Sequence, residues 1–353
     1  MAFSHLKHRG RMQKLIHFHM KNDKRICRIC DTQDFHPTYT GCEMMFGTRE
    51  LFEYFQCNQC QCLQISDIPL NLGSYYPNDY YSLVQKKEKE NPIKNFILKQ
   101  RFRNAIFDKG YKINKILSYF IAMPEFIIDY KHNIVNLLKS SSITNYDARF
   151  LDIGCGHSSA WLNALSVMGF KNLFGIDPYI GKDKKHGKVK ILKKDLIDLE
   201  GEFDLITMHH SLEHISDQKL TISLASKLLS KNGTLIIRIP TVSSYVWEKY
   251  KEKWVEMDAP RHLYLHSKTS IELLIKQADL EIFREIPEAI DFEFYGSEQY
   301  KRNIHLTDSQ SHWLTRDNLL FSEEELSDFN KMADEVNRKN EAGRICLFIR
   351  KKS

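Results

Sequence analysis

Two cysteine pairs, Cys27-x-x-Cys30 and Cys57-x-x-Cys60, have the spacing of a four-thiolate metal site. Each pair fits a tight turn with both sulfurs pointing inward, and two such turns close a tetrahedron around Zn²⁺ at about 2.3 Å. A closed four-sulfur site leaves no position for water, so this metal holds the fold together and takes no part in chemistry. Disulfides and unliganded core thiols are the competing readings. Cys62, two residues past Cys60, competes for the fourth position, whereas Cys42, Cys155 and Cys346 fit no ligand spacing and read as buried thiols.

A second chemistry is carried by Leu151-Asp152-Ile153-Gly154-Cys155-Gly156, an apolar run ending in Asp-x-Gly-x-Gly. Glycines there let the backbone turn tightly against a ligand. Asp177 closes the next apolar run, Lys171 to Ile176, where a doubly wound sheet places an acceptor for ribose hydroxyls. The fingerprint G-x-G-x-x-G is not met, because Ser159 stands at its third glycine and Ser158 precedes it. A nucleotide-type ligand without a pyrophosphate therefore fits better than a dinucleotide.

These residues need a scaffold, and the chain supplies an alternating one. Residues 149–153, 171–177, 189–192, 203–208, 233–239, 280–283 and 344–350 read as strands, with helices over 158–168, 216–230 and 268–278 between them. The expected fold is α/β: a Rossmann-like, doubly wound, mainly parallel seven-stranded sheet, its last strand antiparallel at the edge. Four regions follow: a basic N-terminal arm (1–25), a zinc ribbon (26–82), a helical linker or cap (83–146), and the α/β domain (147–353) with a lid insertion at about 287–342. Apolar residues from Ile93 to Phe120 recur at three and four positions, as in amphipathic helices that pack on a domain.

Of 353 residues, 42% are hydrophobic and 27% charged, enough to bury one large core and a small one. A net charge of +6 permits nucleic acid or acidic lipid partners without demanding them. No apolar stretch reaches the roughly 18 residues of a membrane helix, and the basic first 25 residues lack the hydrophobic core of a secretory signal. A cytoplasmic setting with reduced thiols is expected.

Taken with Gly175-Ile176-Asp177-Pro178, Lys194-Asp195-Leu196, His210-Ser211-Leu212-Glu213-His214, the ribbon followed by Tyr76-Pro77, and Ala259-Pro260-Arg261-His262-Leu263-Tyr264, the glycine loop resembles class I S-adenosylmethionine-dependent methyltransferases, specifically bacterial ones with an N-terminal zinc ribbon. The likeness implies that Asp152, Gly154 and Gly156 line the methionine portion of S-adenosylmethionine. It implies further that Asp177 binds the ribose, Asp195 and the Leu196 backbone meet the adenine edge, and His210 belongs to the cofactor side. His157 and Ser158 depart from the small residues usual there. The motifs are similar to those of enzymes that methylate sugars or sugar-containing molecules.

Methyl transfer is an in-line displacement that often needs a proton removed, and histidine suits that role near neutral pH. His209, His210 and His214 follow the fourth strand and His262 the fifth, so four histidines converge on the sheet's carboxyl rim. His262 ranks first as the catalytic base and His214 second, with Glu213 orienting either; Tyr264, Tyr245 and Trp247 are expected as acceptor-pocket walls. Basic residues of Gly296 to Arg302 could hold a sugar nucleotide's diphosphate. The rival functions are RNA methylation, with the ribbon and basic arm gripping phosphates, and a non-catalytic binding or scaffold protein that keeps the fold.

Overall fold

The computed structural model describes residues 24–76, 92–107, 134–141, 143–317 and 320–352. Most of the basic arm, the 113–120 part of the apolar stripe and Pro77 to Tyr81 lie outside them. The described chain opens with β1 (Arg25–Ile26), β2 (Gln33–Asp34), β3 (Thr38–Cys42), β4 (Leu51–Gln56) and β5 (Leu63–Ile65). Each Cys-x-x-Cys pair sits on the turn that directly follows a strand, β1 or β4. Next come α1 (Pro92–Phe107) and α2 (Ile134–Ser140), whose Phe102, Ile106, Ile134 and Leu138 join one core with Trp161 and Leu165.

The α/β domain runs β6 (Arg149–Ile153), α3 (Ala160–Met168), β7 (Asn172–Ile176), β8 (Lys184–His186), β9 (Val189–Leu192), β10 (Phe203–His209), α4 (Gln218–Leu228), β11 (Leu229–Pro240), α5 (Tyr245–Tyr250), β12 (Tyr264–Leu265), α6 (Lys268–Gln277), β13 (Leu280–Pro287), α7 (Phe292–Lys301), α8 (His312–Thr315), α9 (Glu323–Lys339) and β14 (Arg344–Lys351). β6 is buried over its last four residues because a central parallel strand is covered on both faces. α3 starts where the Ser159 hydroxyl accepts from the Leu162 N–H and stops at Gly169, whose φ of 111° a β-carbon would resist.

Among the described residues the main sheet has eight strands in the order β13-β14-β11-β10-β6-β7-β9-β8, one more than expected. The additional strand, β8, is a polar Lys-Lys-His edge folded back antiparallel on β9 through Gly187 at φ 56°. It buries no apolar face, so no alternation announces it. β14 pairs antiparallel with both β11 and β13 as the terminal strand. After β9 the chain crosses back over β6 to build β10 and β11, which puts the topological switch point between β6 and β10. The loops after those two strands, 154–159 and 209–214, therefore frame the ligand crevice.

The ribbon is hydrogen-bonded into this domain. A second sheet runs β12-β5-β4-β3, and β12 is contributed by the segment just after His262. Leu263 N–H donates to the Glu213 carbonyl and Ile65 N–H to the Leu263 carbonyl, so one extended segment joins ribbon and rim. Next to it, His266 is fully buried, Nε2 2.7 Å from Gln218 Oε1, and burial pulls its pKa down to about 3. A histidine kept neutral when folded but protonated below about pH 6.5 when unfolded subtracts stability as the pH falls. Between pH 6.5 and 4 this position should cost about 1.4 kcal/mol per pH unit. Urea titrations of the protein and of His266→Gln at both ends of that range check the difference in slope.

Candidate functional site

The glycine loop has the shape of a cradle. Gly154 and Gly156 take φ values of 73° and 64°, and a β-carbon on Gly154 would lie 2.6 Å from that of Ser211. Only glycine lets the end of β6 approach the 209–214 rim so closely. Asp177 Oδ2 accepts from the Gly156 N–H and Oδ1 from the Tyr179 N–H, both at 2.9 Å, which fixes the carboxylate at the carboxyl end of β7. Asp195 is exposed with no side-chain capping bond, and Leu196 is half-buried beside it. Asp152 is turned inward: it accepts from Ser159 Oγ at 2.7 Å and Thr207 Oγ1 at 2.8 Å, tying β6 to the start of α3 and to β10. Burial, opposed by those two bonds, pushes its pKa up to about 6. These features fit a phosphate-free adenosine ligand.

The histidine rim divides. His209 faces Trp161 on the α3 side, ring centroids 5.2 Å apart. His210, His214 and His262 line a cavity of about 310 Å³ together with Glu213, Glu256, Asp258 and Arg344. His210 sits at φ 50°, a left-handed conformation uncommon outside glycine. Its Nε2 lies 3.1 Å from an Arg344 nitrogen, which can only donate, so the ring proton sits on Nδ1, 3.5 Å from Glu213 Oε1. His262 Nδ1 donates to the Glu256 carbonyl at 2.7 Å and His214 Nδ1 to the Arg261 carbonyl at 2.8 Å. Both imidazoles are thereby held with Nε2 unprotonated, their rings 4.7 Å apart. Burial and the neighbouring His214 pull the His262 pKa down to about 3, and burial pushes Glu213 up to about 8.

The other cavity wall comes from both ends of the chain. Ile290, Asp291, Phe292, Tyr295, Leu306, Trp313 and Arg316 belong to the insertion between β13 and β14, and Met45 to the ribbon. Lys301 and Arg302 do not line it; they pair with Glu298 and Glu325. Nor do Tyr264, Tyr245 or Trp247. The Tyr264 hydroxyl donates to the Ser216 carbonyl, and Trp247 is buried against the ribbon's Tyr39 at 5.1 Å, because α5 turns its apolar side toward the ribbon.

What holds the His262 turn in place escaped the motif reading. Glu43, fully buried, accepts from the backbone N–H groups of Met45, Phe46 and Thr48 and from Arg261 Nη2 at 2.9 Å. Arg261, also fully buried, pairs with Asp258 at 2.6 Å, and the Tyr54 hydroxyl donates to the His262 carbonyl at 2.9 Å. Tyr76, from the aromatic turn after the ribbon, places its hydroxyl 3.2 Å from His214 Nδ1. A lone Glu beside Cys42 gives no sequence signal; the Asp258-x-x-Arg261 spacing is the trace that could have been followed. Glu43→Gln, whose amide NH2 cannot accept from the backbone N–H groups and the Arg261 guanidinium that its carboxylate serves, should lower stability by about 3 kcal/mol in urea denaturation.

Within the ribbon, the sulfurs of Cys27, Cys30, Cys57 and Cys60 cluster as one ligand set, with Cys27–Cys60 and Cys30–Cys57 separations of 3.5 Å. Gln64 Nε2 lies 2.9 Å from Cys27 Sγ, the kind of outer partner that orients a thiolate ligand. Cys62 is outside the cluster, turned toward His266 Nδ1 at 4.0 Å.

A switch-point sheet with a glycine cradle at β6 and an acidic residue ending β7 defines a Rossmann-like methyltransferase fold. Residues 122–285 match the family described as a methyltransferase domain. The chain is 30% identical over 142 residues to the ubiquinone biosynthesis O-methyltransferase of Pelagibacter ubique, covering 35% of this chain and 59% of that protein. It is 32% identical over 125 residues to the mitochondrial ubiquinone biosynthesis O-methyltransferase of Saccharomyces cerevisiae, covering 31% and 37%. The chain thus matches less than two thirds of either relative's length. Among solved structures, an S-adenosylmethionine-dependent methyltransferase from Clostridium acetobutylicum superposes with a TM-score of 0.36 at 14% identity, over 68% of this chain and 97% of that one.

Proposed function

We propose that this protein transfers the methyl group of S-adenosylmethionine to a small polar acceptor, a sugar, nucleotide sugar or glycan, bound in the cavity beside the histidine rim. The observation that carries the reading is the composition of that cavity. Nine ionisable side chains, among them Glu213, His214, Asp258, His262, Arg316 and Arg344, share its wall with three aromatic residues, Phe292, Tyr295 and Trp313. Aromatic faces suit the apolar side of a sugar ring, and dense donors and acceptors suit its hydroxyls. The names of the two ubiquinone biosynthesis relatives speak for a different O-methyl acceptor; a greasy quinol would leave many of these polar groups without partners.

Bound S-adenosylmethionine supplies the electrophilic methyl group. Gly154, Gly156 and Asp177 would hold it, with Asp195 and Leu196 at the adenine edge. The chain's own contribution is alignment, exclusion of water by the insertion between β13 and β14, and proton removal at the His214–His262 pair, whose Nε2 atoms are fixed as acceptors. Zn²⁺ in the four-cysteine set holds the ribbon that braces the His262 turn, and a reducing cytoplasm suits those thiolates. Among the described residues no helix is long and apolar enough to cross a membrane.

Incubation with methyl-labelled S-adenosylmethionine and separate pools of nucleotide sugars, phenols and RNA tests the acceptor. Label is expected in the nucleotide-sugar pool. Label in phenols or RNA alone would overturn the acceptor class, and label in none together with no cofactor binding would favour a scaffold protein.

A further inference from the structure

We propose that Glu213, His214 and His262 bind one divalent cation at the acceptor cavity, separate from the four-cysteine set. One candidate ligand atom from each of the three lies within 4.8 Å of the others. Each imidazole has its Nδ1–H committed to a backbone carbonyl, at 2.8 Å for His214 and 2.7 Å for His262, the outer-sphere arrangement that orients a metal-ligating histidine. Glu213 is completely buried, yet among the described residues neither carboxylate oxygen has a hydrogen-bond partner, and His210 Nδ1 lies 3.5 Å from Oε1. A buried carboxylate left in that state is costly, and a cation beside it would satisfy both oxygens.

Two histidines and one carboxylate suit Zn²⁺ or Mn²⁺ more than Ca²⁺, and three protein ligands leave a coordination position open. That open side faces the cavity, which all three residues line. Asp258, with Oδ2 3.9 Å from His262 Nε2, adds further negative charge.

The inference deepens the proposed methyl transfer and rests on it for what the cation does, but not for whether one binds. With both Nε2 atoms on the cation, His214 and His262 act through it in place of taking the proton themselves: an acceptor hydroxyl in the open position would lose its proton to water as the cation lowers its pKa. Its oxygen then forms a bond to the methyl carbon while the carbon–sulfur bond breaks and its electron pair stays on sulfur, releasing a neutral thioether and a methyl ether. The acceptor atom is therefore a hydroxyl oxygen.

The test titrates Mn²⁺ into the full chain with its ribbon zinc-loaded, read by calorimetry and by electron paramagnetic resonance. One Mn²⁺ per chain is expected, with binding weakened at least about tenfold by Glu213→Gln and by His262→Gln while zinc content stays unchanged. Absence of Mn²⁺ binding together with absence of any zinc beyond the four-cysteine ion overturns the proposal, as does equal binding in both variants. If no cation binds but label still reaches an acceptor, the cation site fails and methyl transfer stands. If the cation binds and no label moves, the site stands and the proposed function fails.

Discussion

His262→Ala is expected to lower kcat by about 10²- to 10⁴-fold while leaving cofactor affinity nearly intact. His262 is 6% exposed at the cavity and is held at three points: by the Glu256 carbonyl on Nδ1, by the adjacent His214 ring, and by the Tyr54 hydroxyl on its own backbone carbonyl. That investment in orientation makes sense for a group that meets the acceptor's reacting atom. Alanine removes the ring and leaves the Glu256 carbonyl without its donor, but the Gly154–Gly156 loop and Asp177 sit at the ends of β6 and β7, on other elements. Steady-state kinetics beside an equilibrium titration with S-adenosylhomocysteine separate the two effects. Normal turnover in His262→Ala would end its assignment to acceptor activation, whether by proton removal or through a cation.

Loss of the metal proposed for the four-cysteine set should be equally damaging by a different route. Zinc binding by a four-thiolate module is worth about 10–16 kcal/mol, most of which is folding free energy of the module itself. Replacing Cys57 and Cys60 by serine, or stripping the ion with a strong chelator, is expected to unfold residues 24–66 and abolish turnover. The ribbon contributes the β5 partner of β12, the Glu43–Arg261 ion pair, the Tyr54 bond to His262 and the Met45 wall of the cavity. Hydrogen exchange should show protection lost over the ribbon and the 258–266 segment while β6, β10 and β11 stay protected. Full activity and unchanged exchange in Cys57→Ser/Cys60→Ser would show that the ribbon stands without metal.

Local chemistry was legible in the residue order; what crosses between distant segments was not. β6, β10 and the terminal strand are apolar runs bounded by glycine or charge, and their periodicity locates them within a few residues. β8 has no buried face, so it carries no pattern. The Cys-x-x-Cys spacing predicts four sulfurs together, whereas the pairing of β12 with β5 joins positions some two hundred residues apart and follows only from packing. The same holds for the cavity: its histidines were announced by their place after a strand, but Arg344, Arg316 and Asp258 reach it from elements whose sequence says nothing about one another. Trp247 and Tyr264 were expected at the acceptor because they are aromatic and near the rim; their backbone turns them toward the ribbon and the core instead.

The central claim is that the cradle at Gly154–Gly156 and Asp177 binds an S-adenosyl ligand. Calorimetric titration with S-adenosylhomocysteine tests it most directly. The protein should bind one molecule per chain, and Asp177→Ala, which would forfeit the charge-assisted hydrogen bonds proposed to the ribose, should bind about 100-fold more weakly. Absence of binding to the unaltered protein, or equal affinity in Asp177→Ala, would contradict the account.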